Sequence, residues 1–330
     1  MDKTWQQNLK AALKGSTLEK LKKSPEFSSK ASQLFAPVIT ETMDDLIDWL
    51  NPKDPILQQF LPQSLELEQD ESSHTDPVGD HQSEAVPGLI HKYHGRVLLI
   101  ASGSCAVNCR YCFRRHFPYE KSYAPRNQWH TVINYIKSQP NIHEVILSGG
   151  DPLTLSNQSL QTLTEQLATM DHVKTLRIHS RIPVVLPSRI DAGFIDWSQA
   201  LTLSKVMVLH INHSQELSPE AILTIYRLKQ AGYTLLNQSV LLKGVNDSAE
   251  VLAELSHQLF NNGVLPYYLH QFDRVQNAGH FAIELNEGNL IYQQLQKLLP
   301  GYLLPKWVVE QAGQPSKTLL TPTKTTESRR

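Results

Sequence analysis

Cysteine is scarce in this chain of 330 residues: there are three. All three lie between Cys105 and Cys112. An odd number so close together makes a poor disulfide framework and points to a reducing compartment. No apolar run reaches the roughly 18 residues that a membrane span requires. The opening Met1-Asp2-Lys3-Thr4-Trp5 lacks the apolar stretch of a secretory signal. An excess of either charge is also missing, since 31 Lys and Arg face 32 Asp and Glu, a net charge of −1. That balance supplies no long-range attraction to nucleic acid or anionic lipid. The expectation is a soluble cytoplasmic protein with neither a nucleic-acid nor a membrane partner. Core material is ample, with 40% hydrophobic and 8% aromatic residues, which excludes wholesale disorder. At about 150 residues per domain the length suits two domains or one α/β barrel.

Residues 1 to 60 carry broken helical signals. Trp5, Leu9, Leu13, Leu18 and Leu21 recur at helical spacing, and Thr40 to Leu50 predicts a helix stopped by Asn51-Pro52. From Pro62 to Gly88 the chain is acidic and aperiodic, as a long connector would be. A repeat begins at residue 89. Apolar runs at Arg96–Ile100, Glu144–Leu147, Thr175–Ile178, Lys205–Leu209, Thr234–Val240 and Tyr267–Phe272 predict strands. Helical segments lie between them at Trp129–Lys137, Leu160–Met170, Phe194–Leu203, Pro219–Ala231 and Ala249–Asn262, with Leu290–Leu299 after the last. The spacing is that of βα units and predicts a partial (βα)6 barrel of class α/β. A doubly wound sheet is the flat alternative, but no Gly-x-Gly-x-x-Gly turn follows the first strand. The expected organisation is an N-terminal helical region and linker over 1–88, a partial barrel over 89–300 and a C-terminal segment over 301–330. That segment has a β-like run at Trp307–Glu310 and a polar tail from Thr321 to Arg330.

The informative residues fall just beyond strands, where α/β folds place their chemistry. Cys105, Cys109 and Cys112 have the spacing Cys-x3-Cys-x2-Cys. Soft thiolates suit zinc or iron–sulfur chemistry. A structural zinc needs four ligands and there is no fourth cysteine, although a histidine could complete the set. A four-iron cluster on three cysteines would leave one iron open. A buried stripe of small residues is the plain alternative, since these positions also share a helical face. Asn108, Arg110, Arg114 and Arg115 suit a polar ligand loop better.

This spacing, with Tyr111 before the last cysteine, resembles the radical S-adenosylmethionine (SAM) superfamily. The resemblance narrows to the lysine 2,3-aminomutase family and runs from about Arg96 to Lys317. Carrying it are Cys112-Phe113-Arg114-Arg115, Leu147-Ser148-Gly149-Gly150-Asp151-Pro152, Arg181-Ile182-Pro183-Val184-Val185-Leu186-Pro187-Ser188-Arg189 and Asn237 to Asp247. Pro266-Tyr267-Tyr268, Gln271-x-Asp273 and Gly279-His280-Phe281 complete it. Membership implies a 4Fe–4S cluster on Cys105, Cys109 and Cys112, with SAM on the open iron as the source of a 5′-deoxyadenosyl radical. It implies pyridoxal 5′-phosphate (PLP) on a lysine near the C-terminus, which is Lys317 in Gly313-Gln314-Pro315-Ser316-Lys317. Taken alone, Lys317 is an ordinary solvated loop lysine.

The resemblance further implies that Arg96 binds the PLP phosphate, with Lys92 and Arg181 as alternatives. Gly149, Gly150 and Asp151 would form the turn that accepts the SAM amino group, the glycines leaving room for its methionine part. Arg114 would pair with the substrate carboxylate, and Asp273 and Glu310 would hold the ε-ammonium. The usual residue at the position of Glu310 is Asp. Only 13 residues follow Lys317, which resembles the shorter bacterial branch that makes (R)-β-lysine for elongation factor P. The implied enzyme is an isomerase that converts L-lysine to β-lysine, served by an electron donor the sequence does not identify, and a homo-oligomer is left open. The alternatives are an aminomutase for another amino acid such as glutamate, a radical SAM enzyme without PLP, and a non-catalytic zinc-binding interaction module.

Overall fold

The computed structural model describes residues 4–119 and 129–321. Apart from Thr321, the polar C-terminal tail lies outside them. Ten strands form one sheet in chain order: β1 Glu84–Val86, β2 Leu89–Tyr93, β3 Arg96–Ser102, β4 Glu144–Gly149, β5 Thr175–Ser180, β6 Ser204–His210, β7 Tyr233–Val240, β8 Leu265–His270, β9 Lys306–Val309 and β10 Thr318–Leu319. From β3 to β9 every neighbouring pair is parallel. Each step along the sheet is a crossover in the same direction, and crossovers of this kind are right-handed. One hand and one direction put every helix on the same face, so the sheet must curl around the other. That topology excludes the doubly wound alternative, whose strand order reverses. The fold is the partial barrel expected.

Six crossover helices lie within a few residues of their predicted positions: Trp129–Ser138, Asn157–Ala168, Ala192–Ala200, Pro219–Gln230, Ala249–Asn261 and Leu285–Leu298. Four begin at side-chain caps. Ser156, Asp191, Ser218 and Ser248 each accept from a backbone N–H within the first turn, and Pro219 occupies the first position of its helix. These caps start the second helix at Asn157, before the first apolar residue at Leu160.

Two features differ from the sequence reading. The stretch from Pro62 to Gly88 is not a bare connector. It contains 3-10 turns at Ser64–Leu67 and His81–Ser83, and its end pairs with β2 as an antiparallel hairpin. β2 in turn pairs antiparallel with β3, so the boundary at residue 88 falls inside the sheet. Short edge strands carry too little periodicity to be seen in sequence. The helix at Glu41–Leu46 also ends before Asn51-Pro52, because Ile47 turns extended. The N-terminal helices have no core of their own. Trp5, Leu21, Met43 and Phe60 belong to the same buried cluster as Leu99, Leu147 and Leu209 of the barrel. Among the described residues no helix is long and apolar enough to cross a membrane.

Candidate active site

The C-terminal ends of the parallel strands open on a cavity of about 470 Å³, a size typical of small-molecule sites. Every site residue expected from the sequence lines it: Cys105, Cys109, Cys112, Lys92, Arg96, Arg114, Gly149, Gly150, Asp151, Arg181, Asp273, Glu310 and Lys317. Residues more than 200 positions apart therefore share one wall.

The C-terminal hairpin explains how Lys317 reaches it. β10 returns antiparallel to β9, with Thr318 opposite Val309. The next pair outward is Lys317 and Glu310, at the two ends of a loop in which Gly313 has a φ of 78°. Lys317 Nζ donates to Glu310 Oε2. Glu310 Oε1 accepts from Lys92 Nζ at 3.0 Å, and Lys92 bonds Asp80 at 2.6 Å. Asp80 Oδ2 accepts from Arg114 Nε at 2.8 Å. The result is an unbroken alternation of charge, Lys317–Glu310–Lys92–Asp80–Arg114, from the C-terminal loop to the cysteine loop.

Electrostatics separates the two carboxylates expected to face an ammonium. Burial alone would raise the Glu310 carboxyl, but Lys317 and Lys92 reverse this and hold it well below the usual carboxylate range. Among the described residues Asp273 has no ion pair. Burial lifts it to about 7, Glu310 adds to the rise, and Lys317 and Lys92 offset only part.

The cysteine loop is clamped from outside the barrel. Buried Glu66 accepts from Arg110 Nε at 2.9 Å, Arg110 Nη2 at 2.6 Å and Arg115 Nη2 at 2.8 Å. Arg181 donates to Cys109 Sγ at 2.7 Å, and also to Tyr111 Oη, Gln59 Oε1 and Glu216 Oε2. Burial raises the Cys105 thiol well above its ordinary range and pushes Cys112 up to about 11, with the neighbouring cysteines contributing. Thiols crowded and buried in this way become thiolates when cationic metal stabilises them. Among the described residues, no three His, Cys, Asp or Glu side chains converge enough to hold a single ion. Buried, unpartnered polar atoms on the same wall, His179 Nε2 and Arg181 Nε, suit a polar ligand in the cavity.

The structure also shows what each of the remaining expected residues bonds. Lys92 and Arg181 were alternatives for a phosphate, but both are committed to carboxylates. Arg96 carries no ion pair among the described residues and lies 4.7 Å over the Tyr93 ring. At both glycines, backbone fills the space that a side chain would take. A Cβ at Gly149 would meet Ser102 O at 2.5 Å, and one at Gly150 would meet Ser104 O at 2.5 Å. They admit the cysteine loop's backbone, to which Gly150 N and Asp151 N each donate at 2.7 Å. The Asp151 carboxylate is likewise occupied, by Leu153 N, Ser180 Oγ, Arg181 N and Ile182 N. These bonds pin β4 to β5 at the cavity wall.

The sequence reading missed Glu66, Asp80 and Glu216. Their signal is indirect: three arginines in and beside the cysteine loop, and Arg181, need buried counter-charges, and an acidic stretch lies upstream.

Comparison with known proteins follows the same lines. Residues 94–180 match a family model described as a 4Fe-4S single cluster domain. The L-lysine 2,3-aminomutase of Escherichia coli is 45% identical over 290 residues, covering 88% of this chain and 84% of that protein. That of Haemophilus influenzae is 46% identical over 294 residues, covering 89% and 87%. Among solved structures, a radical SAM methyltransferase from Sphaerobacter thermophilus aligns over 67% of this chain and 68% of its own, with 17% identity and a TM-score of 0.46.

Proposed function

This chain belongs to the L-lysine 2,3-aminomutase family, and from that premise we propose that it moves the amino group of L-lysine from Cα to Cβ. It is an isomerase of radical SAM type, with a 4Fe–4S cluster, SAM and PLP as cofactors. When bound, these supply a substrate-derived radical and a carrier for the migrating nitrogen. The observation that carries the reading is the single cavity on which the three cysteines, Lys317 and opposed cationic and anionic groups meet.

The chain's own residues then divide the work. Cys105, Cys109 and Cys112 hold the cluster at the mouth of β3. Arg181 donates to Cys109 Sγ and so influences the cluster's potential. Lys317 anchors PLP, and Arg96 meets its phosphate as a point of positive charge on β3. Arg114 receives the substrate carboxylate. Its Nε is held by Asp80 and its Nη1 by Ser148 at 3.3 Å, while Nη2 has no hydrogen bond among the described residues and is left for the ligand. Glu310 and Asp273 receive the ε-ammonium. A glutamate side chain would set a second carboxylate against these two, so repulsion favours lysine over that alternative. Tyr93, Tyr267 and Tyr268 line the same wall and keep water from the reacting atoms.

The resemblance to the shorter bacterial branch extends the proposal to the R isomer of β-lysine, passed to the modification of elongation factor P. Anaerobic incubation of the reconstituted protein with L-lysine, SAM, PLP and a reductant, followed by chiral analysis, tests both levels. β-Lysine is the expected product. Its absence would defeat the substrate assignment, and the S isomer would defeat only the finer one.

A further inference from the structure

Asp80 belongs to neither the cysteine loop nor the barrel strands, yet it joins both ends of the cavity. Its side chain is only 3% exposed. One oxygen accepts from Arg114 Nε at 2.8 Å and the other from Lys92 Nζ at 2.6 Å, while Lys92 reaches on to Glu310 at 3.0 Å. Lys92 is further fixed by Val78 O at 2.9 Å. Asp80 is itself held, since its N–H donates to Asp76 Oδ1 at 2.9 Å. The preceding residue, Gly79, has a φ of 68°, and a Cβ there would meet Ala312 Cβ of the lysine loop at 2.9 Å. The segment is thus pressed against the loop that carries Lys317 while its next side chain grips the arginine beside Cys112.

We propose that Asp80 is a positioning residue that fixes the separation between Arg114 and Glu310, and thereby sets the length of amino acid that reacts. This rests on the reading that Arg114 takes the substrate carboxylate and Glu310 its distant ammonium. Asp80 lines the cavity, but both of its carboxylate oxygens are taken by protein cations. It acts by locking one edge of the Arg114 guanidinium and, through Lys92, the position of Glu310. With both anchors fixed, a substrate one methylene shorter cannot satisfy them together. With either loose, the anchors follow the ligand.

The experiment compares L-lysine with L-ornithine in the wild type, Asp80→Asn and Asp80→Glu, each reconstituted with cluster, SAM and PLP. It measures kcat/KM for both substrates and, by anaerobic calorimetry on the loaded protein, the Kd of each. Removing one methylene from a fixed site is expected to cost the wild type about 10–200-fold. Asp80→Asn keeps the shape but loses the charge on both cations. It is expected to raise KM and Kd for lysine about tenfold or more, with a smaller change for ornithine, so that discrimination collapses to within a few-fold. Asp80→Glu keeps the charge but pushes Arg114 outward by one methylene, and the ratio should again change. A purely structural role would lower both substrates' kcat/KM alike and leave the ratio and the Kd values at wild-type proportions. That result in Asp80→Asn, or in Asp80→Glu if the first variant does not fold, overturns the proposal. A wild type that makes no β-amino product from lysine would instead overturn the substrate reading on which it rests.

Discussion

Glu66→Gln is an isosteric change with a large expected effect. Glu66 is fully buried, as is Arg110, and Arg115 is 1% exposed at its side chain. The carboxylate accepts from Arg110 Nε and Nη2, from Arg115 Nη2 and from the backbone N–H of Gln63 at 3.1 Å. Replacing one oxygen by an amide removes what is, among the described residues, the only carboxylate within ion-pair distance of two guanidinium groups, and sets N–H donors against N–H donors. No cavity forms, so the cost is electrostatic. Breaking a buried pair by removing one partner costs about 3–5 kcal/mol, and two cations depend on this one anion. At roughly 2 °C per kcal/mol for a chain of this size, the melting temperature should fall by about 6–10 °C. Denaturant unfolding of the apoprotein should show a lower midpoint with an unchanged slope. Because both arginines belong to the cysteine loop, iron retained after reconstitution should fall as well. A midpoint within about 1 kcal/mol of wild type would refute the claim that Glu66 is what holds this loop.

Asp273 gives a pH dependence with a definite sign. Its carboxyl is raised to about 7, so below that pH it is neutral and offers the substrate ammonium nothing, and KM for lysine should fall as the pH rises through about 7. Glu310 stays ionised throughout, so the profile has a single step, which Asp273→Asn should flatten while raising KM. By the same linkage, ionising Asp273 costs the folded state, and its contribution to stability declines as pH rises from about 4 to 7. Arg181→Lys should load iron normally yet shift the cluster's reduction potential negative, because a donor to Cys109 Sγ is lost; an unchanged potential in a redox titration would exclude that contact. Gly150→Ala places a Cβ 2.5 Å from Ser104 O, so it should destabilise by about 1–3 kcal/mol and lower iron content, read by denaturant titration and metal analysis.

How much of this was legible in the sequence depends on the range of the interaction. The six βα units announce themselves because each strand is a local apolar run and each helix a local 3.6-residue pattern. The cysteine triplet and the Gly-Gln-Pro-Ser-Lys loop are legible as motifs, and the fold brings them to one cavity. The hairpin of β1 and β2 was not legible, because Glu84–Val86 is three residues long and carries no strong alternation. Nor were the roles of Lys92 and Arg181. A cation in a sequence looks available, and only the fold reveals that Asp80, Glu310 and Glu216 have already taken it. Gly149 and Gly150 stand out in the sequence for lacking a side chain, and only the fold shows the backbone at Ser102 and Ser104 against them.

The most direct test is reduction of the anaerobically reconstituted protein with borohydride, followed by peptide mapping alongside iron and sulfide analysis of the same sample. The expected result is about four iron and four sulfide per chain, lost together on substitution of Cys105, Cys109 and Cys112, and a single pyridoxyl group on Lys317. Zinc in place of iron, or a pyridoxyl group on another lysine, would contradict the meeting of those two chemistries in one cavity.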